Sequence, residues 1–146
     1  LVDICFRILD GKLTRVEFEK RATVVTYKAP SNYGGFKNVF PQRVNSTEAE
    51  KPVDLSEAHR LAKKYGDRLR IYPGSIELRE DGQTYALGSR TVCTVGIGED
   101  IEKAREISLE GLKAIKGGSL WFRTDIASRE HIAKSVEHMK RLRKQR

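Results

Sequence analysis

Gly88-Ser89-Arg90 is the segment of this sequence best suited to hold a phosphate group. A small-residue turn exposes backbone amides, and the adjacent guanidinium offers a fork of N–H donors that matches phosphate oxygens. The same residues also suit a surface turn whose arginine meets a neighbouring carboxylate, so residue type alone leaves both roles open. Tyr33-Gly34-Gly35 is a second segment of this kind: it either closes over a ligand or simply turns the chain. Gly96-Ile97-Gly98 stands where a dinucleotide fingerprint would begin, between a strand and a helix. It fails that test, because Ile101 takes the place of the third glycine and Glu99 and Asp100 put carboxylates where a pyrophosphate needs free amides. A tight strand-to-helix turn with an acidic cap is the reading that remains.

Other chemistries find little support. There is no lysine-bearing phosphate loop, no nucleophile elbow, and no Ser or Cys with a connected His and Asp. Cys5 and Cys93 each sit in an apolar stretch without a second cysteine or histidine at metal-ligand spacing, and both read as buried thiols. His131 and His138 fall on one helix roughly 10 Å apart along its axis, too far to share a metal. No metal ligand or catalytic residue is assigned from the sequence.

The elements that position these residues follow from periodicity. Leu1, Ile4, Cys5 and Ile8 share one helical face that Gly11 ends, and the opening without methionine reads as the interior of a longer chain. Val16 and Phe18 alternate, and Ala22 to Tyr27 is a β-branched run that predicts a buried strand ended by Pro30. Ser31 to Gln42 reads as a loop and Asn45 to Pro52 as an exposed connection. A helix is predicted over Leu55 to Tyr65, with Asp54 as N-cap, Glu57 completing a capping box and Gly66 as stop. Asp81-Gly82 predicts a hairpin of Ile76 to Arg79 with Gln83 to Leu87, in one sheet with a strand over Thr91 to Ile97. Asp100 caps a helix with Ala104, Ile107, Gly111, Leu112 and Ile115 inward, ended by Gly117-Gly118. Leu120 to Arg123 is a short strand, and Ser128 caps a last helix with Ile132, Val136, Met139 and Leu142 inward.

At 146 residues and 38% hydrophobic, the chain has room for one domain or for a domain with an attached piece. It has no apolar run long enough for a membrane helix and no signal-peptide pattern at Leu1 to Asp10, so the expected setting is the cytoplasm, with no membrane partner. Net charge is +8, but five of the 28 basic residues lie in the last seven positions, and the rest nearly balances 20 acidic residues. A basic helix end of this kind complements the helix dipole or meets an acidic surface. With no aromatic residue interleaved there and no zinc-finger or RNA-binding-sheet signature, nucleic acid is not the expected partner.

The order of several short motifs adds what spacing alone does not. Tyr72-Pro73-Gly74-Ser75, Thr84-Tyr85-Ala86-Leu87-Gly88-Ser89-Arg90-Thr91-Val92, Val95-Gly96-Ile97-Gly98, the run holding Glu102, Ala104, Arg105 and Glu106, and Arg123-Thr124-Asp125-Ile126 succeed one another. Together they resemble the C-terminal part of the phosphoribosylamine–glycine ligase family, in a form that looks archaeal. Leu1 to Leu13 is similar to the helix after that family's metal-ligand motif, and Ala22 to Gly35 to the strand and Gly-Tyr loop that follow.

The resemblance implies an α+β fold, a small antiparallel sheet with packed helices, forming the C-terminal lobe of an ATP-grasp ligase. Residues 1–35 would end the ATP-grasp domain and lead into the lobe, residues 36–54 would be a loop or insertion, and residues 55–146 the C-terminal domain with its basic helix. It implies an enzyme of purine biosynthesis acting on glycine, phosphoribosylamine and ATP, with Mg or Mn. ATP and metal would bind mainly outside this segment, which alone would be inactive. Arg90, Ser89, Gly88 and Tyr33 become expected substrate-binding residues, although Ser89 stands where glycine is common and Gly34 where many relatives have proline. The competing expectations are another ATP-grasp ligase of the biotin carboxylase type, or a basic module that binds RNA or an acidic partner.

Overall fold

The computed structural model describes residues 1–30, 33 and 51–144. Its elements in chain order are α1 (Val2–Leu9), β1 (Ala22–Pro30), α2 (Ser56–Tyr65), a 3-10 turn at Gly66–Arg68, β2 (Leu69–Pro73), β3 (Ile76–Leu78), β4 (Thr84–Ala86), β5 (Val92–Gly98), α3 (Ile101–Lys113), β6 (Leu120–Phe122) and α4 (Arg129–Lys144). The architecture is α+β, with a four-stranded antiparallel sheet ordered β2-β5-β1-β6 and a separate β3-β4 hairpin. The expected loop and connection between β1 and α2 lie, apart from Tyr33 and the last two residues, outside the described residues.

β1 and β5 form the middle of the sheet, registered from Ala22 opposite Gly98 to Lys28 opposite Val92. α3 packs on one face of this pair. Gly96 and Gly98 make that approach possible: a Cβ at Gly96 would lie 2.0 Å from the carbonyl oxygen of Ala104, and one at Gly98 would lie 2.6 Å from the amide of Ala104. Behind them a buried hydroxyl cluster joins helix to sheet. Thr94 Oγ1 donates to the Ser108 carbonyl at 2.7 Å, Ser108 Oγ donates to the Thr94 carbonyl at 3.0 Å, and the Thr26 hydroxyl lies 2.7 Å from Ser108 Oγ. Every polar atom of this seam has a partner, which removes the penalty of burying it. The apolar core continues beside it through Val53, Ala58, Val92, Leu112 and Ile115.

The structure corrects several expectations, each for a packing reason. β1 is half-buried rather than buried, with Val24, Thr26 and Lys28 covered by α3 while Val25 and Tyr27 stay 43% and 42% exposed on the opposite face. The hairpin does not join the main sheet, because the chain turns away after β2 and β3 pairs only with β4. Leu69–Pro73, not anticipated as a strand, takes the edge position beside β5. At α2 the cap position falls on Leu55, and Asp54 Oδ1 instead accepts from the Ser56 amide at 2.8 Å. Cys5 is exposed and only Cys93 is buried. The apolar stripe of α4 is not inward: Val136, Met139 and Leu142 are each nearly half exposed and no residue of that helix is buried.

Lys28 is the one buried lysine among the described residues, held by a hydrogen bond from Nζ to the Ile115 carbonyl at 2.5 Å and lying 5.4 Å from the Phe122 ring centroid. Burial, reinforced by the charge of Lys116, lowers its pKa from 10.5 to about 8. The unfolded chain therefore binds the extra proton between those values, and stability must rise with pH across that window. Urea unfolding of the wild type and Lys28→Met at pH 7 and pH 10 is expected to show the wild type gaining about 2 kcal/mol relative to the variant. An unchanged difference would mean that the amine is not desolvated.

Candidate functional site

On the sheet face away from α3, a cleft of about 310 Å³ is lined by Val25, Tyr27, Ala29, Tyr33, Arg90, Trp121, Arg123 and Ile126, with edges of Thr26 and Phe122. Strand alternation explains the set. Val25, Tyr27 and Ala29 share the open face of β1, and Trp121 pairs with Ala29 across the β1–β6 ladder and so points the same way. Trp121 is fixed there, its Nε1 donating to the Pro30 carbonyl at 2.8 Å.

Arg90 is delivered to this cleft by a locked backbone. Its carbonyl accepts from the Ser75 amide at 2.8 Å, while Thr91 donates to the Lys28 carbonyl at 2.9 Å and accepts from Gly74 at 2.8 Å. Gly74 is required for this closeness, since a Cβ there would sit 2.7 Å from the Arg90 carbonyl oxygen. The side chain is exposed, its guanidinium carbon 5.2 Å from the Tyr27 ring centroid. Among the described residues it faces no carboxylate within ion-pair distance. Tyr27 sits opposite Cys93 across the β1–β5 ladder, and burial pushes the pKa of that thiol up.

The second arginine of the cleft is differently committed. Arg123 makes a two-pronged pair with Asp125, from Nε at 2.9 Å and from Nη2 at 2.5 Å. That guanidinium holds the Asp125 carboxyl below the usual carboxylate range. The loop bearing them is gripped by Arg105, which donates to the carbonyls of Thr124 and Ile126. The cleft thus combines an ion pair, an aromatic wall and the exposed guanidinium of Arg90, an arrangement suited to one end of a small anionic ligand.

Of the residues singled out from the sequence, Tyr33 and Arg90 meet in this cleft although they are far apart in the chain. Gly88 and Ser89 do not line it. They form the turn behind Arg90, where the Ser89 carbonyl accepts from Thr91 Oγ1 at 3.3 Å. Tyr27, Trp121 and Arg123 were not anticipated as site residues. Arg123 had a signal, its place in the last motif, whereas Tyr27 and Trp121 become visible only through strand register.

Comparison with known proteins shows what the chain that carries this cleft is similar to. No family model matches the chain. It is 34% identical over 145 residues to the phosphoribosylamine–glycine ligase of Methanococcus maripaludis strain S2. It is 32% identical over 143 residues to the enzyme of that name from Thermococcus kodakarensis, and 35% identical over 145 residues to that of Methanocaldococcus jannaschii. The chain is a relative of the phosphoribosylamine–glycine ligases. Each alignment takes in 98% of this chain and 29% of the relative, so the chain spans under a third of the ligases' length, consistent with the C-terminal part that its motifs resemble.

The motifs that carry the ligase resemblance are joined in space as well as in order. Gly74 and Ser75 hold the backbone at Arg90, Gly96 and Gly98 seat α3, and Arg105 of α3 holds the loop from Thr124 to Ile126. A larger depression of about 690 Å³ lies between the starts of α3 and α4, but Asp100, Glu102 and Glu130 line it, Arg129 is paired with Glu102, and it takes in none of the expected site residues. Among the described residues no group of three or more His, Cys, Asp or Glu is arranged to hold a metal ion, and no helix is long and apolar enough to cross a membrane.

Proposed function

We propose that this chain is the C-terminal lobe of an ATP-grasp enzyme that joins glycine to phosphoribosylamine in de novo purine biosynthesis, and that its cleft receives the phosphate end of phosphoribosylamine. The observation that carries the reading is the convergence of Tyr33 and Arg90, with Trp121 and Arg123, on one small cleft. In the whole enzyme, ATP with Mg or Mn converts the glycine carboxylate to an acyl phosphate, which the amine of phosphoribosylamine attacks to give glycinamide ribonucleotide, ADP and phosphate. The residues here bind and orient the amine-bearing substrate. Arg90 donates to its phosphate in fork geometry, the aromatic wall of Tyr33 and Trp121 limits water at the sugar, and the Arg123–Asp125 pair fixes the far side.

The cleft's size supports an assignment to part of a ligand, since it lies at the lower end of small-molecule pockets, which run from about 300 to 1,000 Å³. Residues 1–35 would lead from the ATP-grasp domain into the lobe, with β1 shared by its sheet, and residues 55–146 would complete it after the 36–54 connection. A cytoplasmic setting suits substrates of this kind. The test is product formation: the full-length ligase carrying this segment is expected to release ADP and glycinamide ribonucleotide only when glycine and phosphoribosylamine are both present. The segment alone is expected to yield neither. ADP release independent of phosphoribosylamine would contradict the reading.

A further inference from the structure

Resting on that reading of the cleft, we propose that Tyr27 is the positioning residue for Arg90: its ring holds the guanidinium by stacking, and so leaves the N–H donors of Arg90 directed at an incoming phosphate. An arginine side chain has many rotamers, and ordering one on binding a ligand opposes binding. A carboxylate partner would order it at the expense of its donors, as Asp125 does for Arg123 by engaging Nε and Nη2. An aromatic face orders it differently. The attraction acts perpendicular to the guanidinium plane, whereas the five N–H bonds lie in that plane and stay available.

Three observations favour this role for Tyr27. The Arg90 guanidinium lies 5.2 Å from the Tyr27 centroid, within cation–π range, and both residues line the same cleft. Tyr27 lies on a central strand in register with Cys93 of β5, and the adjacent bond from the Thr91 amide to the Lys28 carbonyl fixes the two backbones relative to each other. The other stacked arginine among the described residues serves a different end: Arg79 lies 4.0 Å from the Tyr85 centroid but also pairs with Glu77 at 3.0 Å, and the cleft does not include it.

The test is a double-mutant cycle in the full-length ligase, with Tyr27→Leu, Arg90→Ala, the double variant and Tyr27→Phe compared by steady-state kinetics in phosphoribosylamine. Tyr27→Leu is expected to raise KM about two- to fivefold with kcat little changed, the size of an exposed cation–π contact. Tyr27→Phe keeps the ring and should restore KM to near the wild-type value. In the Arg90→Ala background, Tyr27→Leu should add nothing. An equal effect of Tyr27→Leu in both backgrounds, or none in either, would overturn the positioning role while leaving Arg90 as a phosphate ligand. If Arg90→Ala itself leaves KM unchanged, the phosphate reading falls, and the role of Tyr27 falls with it. A structural readout accompanies the kinetics: the Arg90 side-chain Nε–H resonance should show a ring-current shift that Tyr27→Leu abolishes and Tyr27→Phe keeps. Persistence of the shift in Tyr27→Leu would also overturn the proposal.

Discussion

Replacing Arg90 with alanine in the full-length ligase is expected to raise KM for phosphoribosylamine about 10- to 100-fold, the loss of a charge-assisted hydrogen-bond pair worth roughly 1.5–3 kcal/mol. In the proposed reaction the phosphate does not react, so a contact to it would be the same in the ground state and the transition state. Such uniform binding appears in KM and leaves kcat nearly unchanged. KM for ATP should not move. Folding should not change either, because the side chain is exposed and its ordering contact is a single ring. Arg90→Lys keeps the charge without the fork, and an intermediate KM is expected from it. Initial rates of glycinamide ribonucleotide formation measure the kinetic constants, and an unaltered KM for phosphoribosylamine in Arg90→Ala would remove Arg90 from the site.

The largest effect on stability is expected from Gly96→Ala. The added Cβ would meet the Ala104 carbonyl oxygen at 2.0 Å and the Ser108 amide at 2.5 Å, and both are backbone atoms of α3. No rotamer change relieves a clash with backbone, so the helix must lift from the sheet. Lifting it also pulls Ser108 from Thr94 and Thr26, leaving buried hydroxyls without partners. A loss of about 3 kcal/mol or more follows, a large share of the roughly 5–15 kcal/mol that holds a typical domain. Gly88→Ala is the matched control: the Cβ it adds would have nothing within 4 Å, and a change under about 0.5 kcal/mol is expected. Urea unfolding of both variants checks the pair, and equal midpoints would contradict the close packing of α3 on β5.

What the sequence disclosed, and what it withheld, divide along a physical line. Local signals placed α3, whose Asp100 side chain accepts from the Lys103 amide at 2.7 Å, and the hairpin, whose turn puts Gly82 at a φ of +75°. Each depends on chemistry within a few residues. β2 left no such signal, because Leu69 to Pro73 is short, half exposed, and enclosed by Gly66 and the Pro73-Gly74 turn. The hairpin's separation from the main sheet is likewise a matter of partner choice, which turn chemistry does not encode.

Amphipathic spacing showed the apolar stripes of α1 and α4 but not what they contact: Phe6 and Leu9 are 62% and 80% exposed, and Val136 and Met139 nearly half exposed. Periodicity reports that a face is apolar, not that a surface covers it. Of the residues that line the cleft, Arg90 and Tyr33 carry a signal in residue type and motif order. Tyr27 and Trp121 do not, since only the register of β1 with β5 and β6 brings them to the same wall.

The central claim, that Arg90 grips the phosphate of the amine-bearing substrate, is most directly tested by a cycle between protein and ligand. Dissociation constants of glycinamide ribonucleotide and of its dephosphorylated riboside would be measured by calorimetry for the full-length wild type and for Arg90→Ala. The wild type should prefer the ribonucleotide strongly, and Arg90→Ala should lose about 10- to 100-fold of that preference while binding the riboside as the wild type does. An equal loss for both ligands would place Arg90 away from the phosphate and contradict the account.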